Sequence, residues 1–136
     1  MLEFSAFLLL IFSIACKETP QSGKSRLEHF EYGGYGDTIY ATLYGQVLLD
    51  TTVIVPAKNA TINFHNMKYS LHTDSLGKFE IYSEADTFDI EISFPYYQSL
   101  HIKNYISHPD QISTALIKLS KGEGFEQVVI PSPLHH

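Results

Sequence analysis

The sequence has no tryptophan, only one cysteine and few basic residues. Nine Lys and Arg stand against fifteen Asp and Glu, which gives a formal net charge of −6 over 136 residues. One cysteine cannot form an internal disulfide or complete a Cys-based zinc site. An acidic domain without a basic stripe binds nucleic acid poorly and is repelled by anionic headgroups. We therefore expect no nucleic-acid partner, and any membrane association needs a covalent or apolar anchor.

The chain also lacks an apolar run long enough to span a bilayer. Its longest such run, residues 4–14, contains eleven residues with two serines among them. As a helix this run reaches ~16 Å, about half of a ~30 Å hydrocarbon core. A run of this length is typical of the apolar region of a secretory signal. Small Ala15 and the lone Cys16 follow it, and a polar segment begins at Lys17.

This junction resembles a bacterial lipoprotein signal, in which a small residue precedes an invariant cysteine. The resemblance implies that residues 1–15 are removed and that Cys16 is the lipidation site. Two or more acyl chains hold a protein stably on a membrane, whereas one binds reversibly. The alternative is an ordinary signal peptide with an incidental cysteine. The lipoprotein reading predicts a lipid-anchored outer-membrane protein on the periplasmic or cell-surface side.

Residues 17–25 are polar and rich in structure-breaking residues, which is typical of a flexible tether. Aromatic residues among glycines further on allow part of the segment to lie on the domain. We predict the lipidated cysteine and tether over residues 16–37, a β-domain over 38–120, and a C-terminal strand and tail over 121–136.

From Thr38 onward, apolar and polar residues alternate with a period of two, which is typical of half-buried strands. The predicted core side chains include Ala41, Leu43, Val47, Leu49, Ile62, Phe64, Phe79, Ile81, Phe88, Ile90, Ile92, Leu100, Ile102, Ala115, Ile117, Leu119, Val128 and Ile130. Short turn signals separate these stretches, and no window shows a helical stripe. Strands that each bury one face need a second sheet. We predict an all-β fold, a single antiparallel β-sandwich of about seven strands.

Four stretches of this region resemble the carboxypeptidase regulatory-like domain, a prealbumin-like sandwich common in Bacteroidetes surface proteins. They are Gly45-Gln46-Val47, residues 55–62, residues 73–81 with the pattern T-D-x-x-G-x-F, and residues 90–94 with tyrosines close behind. The resemblance covers about residues 38–120. It implies an accessory, non-catalytic domain that contacts a partner in the same membrane.

Asp74 and Gly77 have a structural explanation that does not depend on the family. Asp suits the first position of a type I turn because its carboxylate accepts from backbone N–H groups two residues on, and Gly suits the fourth position. We therefore predict that Asp74 forms a turn and is not a catalytic acid.

Exposed tyrosines are the candidate binding residues. Tyr40 and Tyr44 stand on the non-core face of the first predicted strand, and Tyr96 and Tyr97 sit at a corner. Aromatic side chains of this kind stack on sugars or contact a protein partner. The alternative is that these tyrosines only cover a strand and fix a corner.

The sequence predicts no enzyme, no metal site and no cofactor. None of the seven histidines stands at a metal-ligand spacing. Asp89 and Glu91 share one strand face about 6.5–7 Å apart, close to the separation of an inverting carboxylate pair. A solvated strand face does not exclude water, as general acid catalysis requires. We therefore expect a non-catalytic binding or interaction module. A carbohydrate-binding lipoprotein is the alternative, and a small hydrolase using Asp89 and Glu91 is the third reading.

Overall fold

The protein is described from a computed structural model that covers residues 23–35, 40–65, 70–84, 86–108 and 111–130. Cys16, the predicted signal and the last six residues lie outside this description. Ten strands are present in the described ranges. They are β1 (Arg26–Tyr35), β2 (Ala41–Asp50), β3 (Ile54–Pro56), β4 (Thr61–Phe64), β5 (Ser70–His72), β6 (Lys78–Ser83), β7 (Asp86–Ser93), β8 (Ser99–Ser107), β9 (Gln111–Ser120) and β10 (Phe125–Val129).

The strands form two five-stranded sheets. In the first sheet the order is β1–β9–β2, and both β3 and β6 pair with the far edge of β2. β6 pairs with residues 41–46 of β2, and β3 pairs with residues 48–50. In the second sheet the order is β10–β8–β7–β4–β5. The two sheets face each other across one core, which confirms the predicted all-β sandwich.

The core consists of the apolar side chains that the period-two pattern selects. Alternation puts every second residue of a strand on the same face. In β6 the residues are alternately exposed and buried, and β2 alternates from Leu43 onward. Val47, Ile62, Ile92, Ile117 and Leu119 are completely buried. Thr42, predicted to point outward, is 3% exposed and departs from the pattern.

An aromatic cluster fills one part of the core. Tyr105 is 1% exposed and stacks near Phe88, with ring centroids 6.3 Å apart. Phe30 and Tyr32 of β1 also contact Tyr105, with ring centroids at 6.1 and 6.4 Å. Burial raises the pKa of Tyr105 to about 12, because the phenolate form cannot be solvated there.

The sandwich begins earlier in the chain than the sequence predicts. Residues Arg26–Tyr35, assigned to the tether, form β1 and pair antiparallel with β9. Leu27 and Phe30 pack against the core. Burial of these apolar side chains, together with the hydrogen bonds to β9, outweighs the poor strand propensity of the nearby glycines. The domain boundary therefore lies near Ser25, not near Thr38.

The pairing is also not purely antiparallel, and the strands outnumber the predicted seven. β9 runs parallel to β2, and β10 runs parallel to β8. Parallel partners need long connections, so residues far apart in the chain meet. At the end of β9, Ser120 pairs with Asp50 of β2.

Candidate functional site

Tyr44 lies on the outer face of the first sheet. It is 42% exposed, and its register partners are Glu80 on β6 and Thr114 on β9. Its neighbours along β2, Leu43 and Gly45, face the core. The ring is therefore held on a rigid strand with polar side chains on both sides.

An open groove of about 850 Å³ includes Tyr44. Besides Tyr44, the polar side chains that line it are His29, Gln46, His72, Asp74, Lys78, Glu80 and Thr114. Apolar contributions come from Leu71, Phe79, Ala115 and Leu116. Four neighbouring strands of the first sheet supply most of the lining, so the groove crosses about 15 Å of the sheet. A volume of this size is within the range of small-ligand sites.

Gly45 is among the residues that line the groove, and its missing side chain faces the core. A Cβ atom at this position would overlap the ring of Phe79. The missing side chain lets the Phe79 ring lie directly on the β2 backbone. The G-x-V pattern, noticed in the sequence only as a family feature, thus has a packing reason.

The rim of the groove carries groups of both charges. Lys78 and Glu80 stand two residues apart on β6. The Gln46 amide donates to the carbonyl of Leu76 at 2.9 Å, which fixes the side chain at one end of the groove. The Tyr82 hydroxyl donates to Glu80, and this hydrogen bond raises the pKa of Tyr82. The groove therefore offers one aromatic ring together with polar side chains, of which Gln46 and Glu80 are held by hydrogen bonds.

Tyr96 and Tyr97 differ in burial and in backbone conformation. Tyr97 packs against the core and contacts Phe94 edge to face, with ring centroids 5.7 Å apart. Tyr96 is 89% exposed and has a φ of 72°. The Tyr97 N–H donates to the carbonyl of Phe94 at 3.1 Å, which closes a turn with Pro95 second and Tyr96 third. Proline at the second position and a positive φ at the third define a type II turn, and the third position normally holds glycine.

The predicted tyrosines do not form one site. Tyr40 immediately precedes β2, whereas the turn with Tyr96 lies beside Ser120, whose partner is Asp50 at the other end of β2. Nine residue steps of strand separate the two ends, about 30 Å. Tyr44 belongs to the groove, and Tyr96 belongs to one end of the sandwich.

Each of the two acids in the hydrolase hypothesis lies next to basic side chains. The Lys103 ammonium lies 2.8 Å from Asp89, and this hydrogen bond lowers the pKa of the Asp89 carboxyl. Glu91 lies between two imidazoles, 3.2 Å from His101 and 3.6 Å from His65. An ionised, paired Asp89 cannot serve as a general acid.

The Asp74 carboxylate accepts hydrogen bonds from the backbone of its own turn. One carboxylate oxygen accepts from the N–H groups of Lys78 and Leu76, both at 2.9 Å, and these bonds lower the pKa of Asp74. The Gly77 N–H donates to the carbonyl of Asp74 at 3.0 Å. Gly77 has a φ of 76°, and a Cβ there would overlap the carbonyl oxygen of Val47. The turn thus joins the two sheets, and only glycine fits at its end.

Two further properties concern the described part of the chain alone. Among those residues, no group of three or more His, Cys, Asp or Glu side chains is arranged to hold a metal ion. Over the same residues, no helix has the length and apolar character to cross a membrane.

The sequence alone does not predict two features of the molecule. It placed neither His29 nor Lys78 near Tyr44, because pairings across long stretches of chain bring them together. It also missed Ser25, whose side chain is buried and hydrogen-bonded to Gln98. For Lys78 the signal was its polar position in the alternation along β6, whereas Ser25 lies before β1 and has no such signal.

Comparisons with known proteins add little. No protein-family model and no curated protein matches the chain. Among solved structures, one similar chain comes from a type II cohesin–X-dockerin complex of Acetivibrio cellulolyticus, at 18% identity and a TM-score of 0.42. The match covers 65% of this chain and 51% of that chain, so it spans about half of the other protein's length. A likeness this low carries no information about ligand or partner.

Proposed function

We propose that this protein is a lipid-anchored bacterial envelope protein that works as a non-catalytic binding module, with the Tyr44 groove as its binding surface. The anchor part rests on the sequence alone, on the apolar run that ends at Ala15 and Cys16. The binding part rests on one observation: an exposed ring on a strand, inside a groove lined by polar side chains.

The groove fits a carbohydrate best. A sugar presents an apolar face to an aromatic ring and hydroxyl groups around its edge. Tyr44 supplies the ring, while Gln46, Lys78 and Glu80 supply donors and acceptors within the same groove. An open groove also accommodates an internal segment of a chain and not only its end.

A glycan array probed with the full-length protein tests the carbohydrate proposal. We expect binding to weaken at least about tenfold in Tyr44→Ala, because the central ring of a small site dominates its affinity. Tyr44→Phe keeps the ring and should retain most of the affinity. Tyr40→Ala removes a tyrosine outside the groove and serves as the matched control. An array that stays blank, or a Tyr44→Ala variant that binds like the wild type, contradicts the proposal.

A protein partner is the second candidate. The observation that favours it is Tyr82, which is 59% exposed next to the groove on the same sheet face. Affinity purification from solubilised membranes should recover a stoichiometric partner that Tyr82→Ala loses. Recovery of no such partner removes this candidate and leaves the glycan proposal untouched.

The anchor has a separate test. Palmitate labelling should disappear in Cys16→Ala, and the protein should leave the membrane fraction. Labelling that persists in this variant contradicts lipidation at Cys16.

A further inference from the structure

One end of the sandwich is where the described chain begins, and Ser25 fixes it there. The Ser25 hydroxyl donates to the carbonyl of Gln98 at 2.7 Å and accepts from the Ser120 N–H at 2.9 Å. The Ser25 N–H donates to the Gln98 side chain at 3.0 Å. Ser25 is only 3% exposed. We call the end of the sandwich that contains Ser25, Gln98 and Ser120 the Ser25 end. The described residues before Ser25 are exposed.

Apolar loop tips cluster at the same Ser25 end. Val53, in the loop between β2 and β3, is 67% exposed, and Ile54, the first residue of β3, is 43% exposed. Ile54 pairs with Asp50, and Asp50 pairs with Ser120. Two strand spacings, about 10 Å, therefore separate this loop from Ser120.

Tyr96 belongs to this end as well. The Gln98 N–H donates to the Ser120 carbonyl at 2.8 Å, so the type II turn lies beside the same residue that holds Ser25. Tyr96 has a left-handed backbone conformation, which is unfavourable in free energy for a bulky residue. Packing within the domain does not compensate that cost, because 89% of the side chain is exposed. The exposed Tyr96 ring is therefore available to contact a surface outside the domain.

The polar groups at this end suit a lipid headgroup layer. Lys24 and Lys121 are exposed there, together with Glu123. Tyrosine is enriched at membrane interfaces, where the ring meets the acyl boundary and the hydroxyl stays among headgroups. Val53 and Ile54 add exposed apolar side chains to the same end.

We infer that the Ser25 end of the sandwich rests on the lipid bilayer, with Tyr96, Val53 and Ile54 in the headgroup region. The inference rests on the proposed lipidation of Cys16. Nine residue steps from Cys16 to Ser25 span at most ~30 Å, so the anchor limits the distance between this end and the membrane to about that length. The tethered end experiences a high effective bilayer concentration, and a weak contact is then sufficient. The Tyr44 groove lies six residues up β2 from Asp50, which places it about 20 Å above this end.

The absence of tryptophan provides a direct test. Tyr96→Trp makes a single reporter at the Ser25 end. Tyr82→Trp makes a matched reporter on the exposed sheet face toward the other end of β2, where its register partner is Thr42. Each acylated full-length variant is placed in phosphatidylethanolamine–phosphatidylglycerol vesicles that contain brominated acyl chains. We expect the fluorescence of Tyr96→Trp to be quenched at least about twofold more than that of Tyr82→Trp, because interfacial groups sit ~5–10 Å into the headgroup and acyl boundary.

Equal quenching of the two variants overturns the inference. Val53→Trp gives a second reporter of the Ser25 end if Tyr96→Trp does not fold. Mass spectrometry of the same samples reports whether Cys16 carries acyl chains. If it carries none, the anchor proposal fails and this inference fails with it. If it is acylated and the reporters are quenched equally, only the inference fails.

Discussion

The strained turn at Tyr96 predicts a substitution that stabilises the protein. Tyr96 has a φ of 72° and an 89% exposed side chain, so replacing it with glycine loses almost no packing. An L-residue in the left-handed region costs roughly 1–2 kcal/mol. The substitution relieves this strain, but ~0.5–1 kcal/mol of the gain is lost because a glycine has a larger conformational entropy in the unfolded chain. We therefore expect Tyr96→Gly to raise the free energy of unfolding by about 0.5–1 kcal/mol.

Thermal and urea unfolding, followed by circular dichroism, measure this effect. For a domain of this size the gain corresponds to a rise in Tm of roughly 2–8 °C. Tyr96→Ala is the matched control, because it removes the same ring but keeps the Cβ atom that causes the strain. The difference between the two variants isolates the backbone. A Tyr96→Gly variant no more stable than Tyr96→Ala would refute the reasoning.

Three further predictions concern stability. Ser25→Ala should cost about 1–3 kcal/mol in urea unfolding, because it leaves the buried Ser120 N–H without its acceptor, and Ser25→Thr, which keeps the hydroxyl, should recover part of the loss. Gly45→Ala should lower the free energy of unfolding by about 1–3 kcal/mol, because the new Cβ displaces the Phe79 ring. The double variant with Phe79→Leu should lose less than the sum of the two single changes, and simple additivity would contradict this contact. The pKa of Tyr105 rises from 10.0 to about 12 in the fold. Stability from this group is therefore complete below pH ~10 and decreases by ~2–3 kcal/mol as pH rises to about 12, and a Tyr105→Phe variant should lose this part of the alkaline dependence.

The sheet faces were predictable because their signal is local. Alternation along β6 and β7 needs only neighbouring residues, and the buried Phe79, Ile81 and Ile90 follow from it. The same holds for the turn at Asp74, whose carboxylate reaches N–H groups two and four residues on. Features of this range are encoded within a few residues of sequence.

β1 was missed because its partners are distant. The glycines after Tyr32 and the polar residues before Arg26 indicate a tether when read alone. Strand formation there depends on β9, where Lys118 pairs with Arg26 from 92 residues further along the chain. The sequence near Arg26 contains no signal for this pairing with β9.

The candidate site was only partly predictable for the same reason. Tyr44 was identified from its place on the outer face of a strand. The groove around it contains His29 and Leu116 from two other strands, which only the register of the sheet brings to Tyr44. The strain at Tyr96 is a backbone property, and the sequence Pro95-Tyr96 does not reveal it without the turn geometry.

The attachment of β1 to β9 has a mechanical consequence. With the proposed ligand in the groove and the proposed anchor before Ser25, a pull on the protein would pass through β1, because β1 is the first strand after Ser25. Antiparallel hydrogen bonds run perpendicular to the strands. A pull along the strand axis therefore loads the pairs between Arg26 and Tyr35 in shear, all together, instead of opening them one after another. In the proposed arrangement, the edge strand β1, which the sequence analysis assigned to the tether, would bear the load.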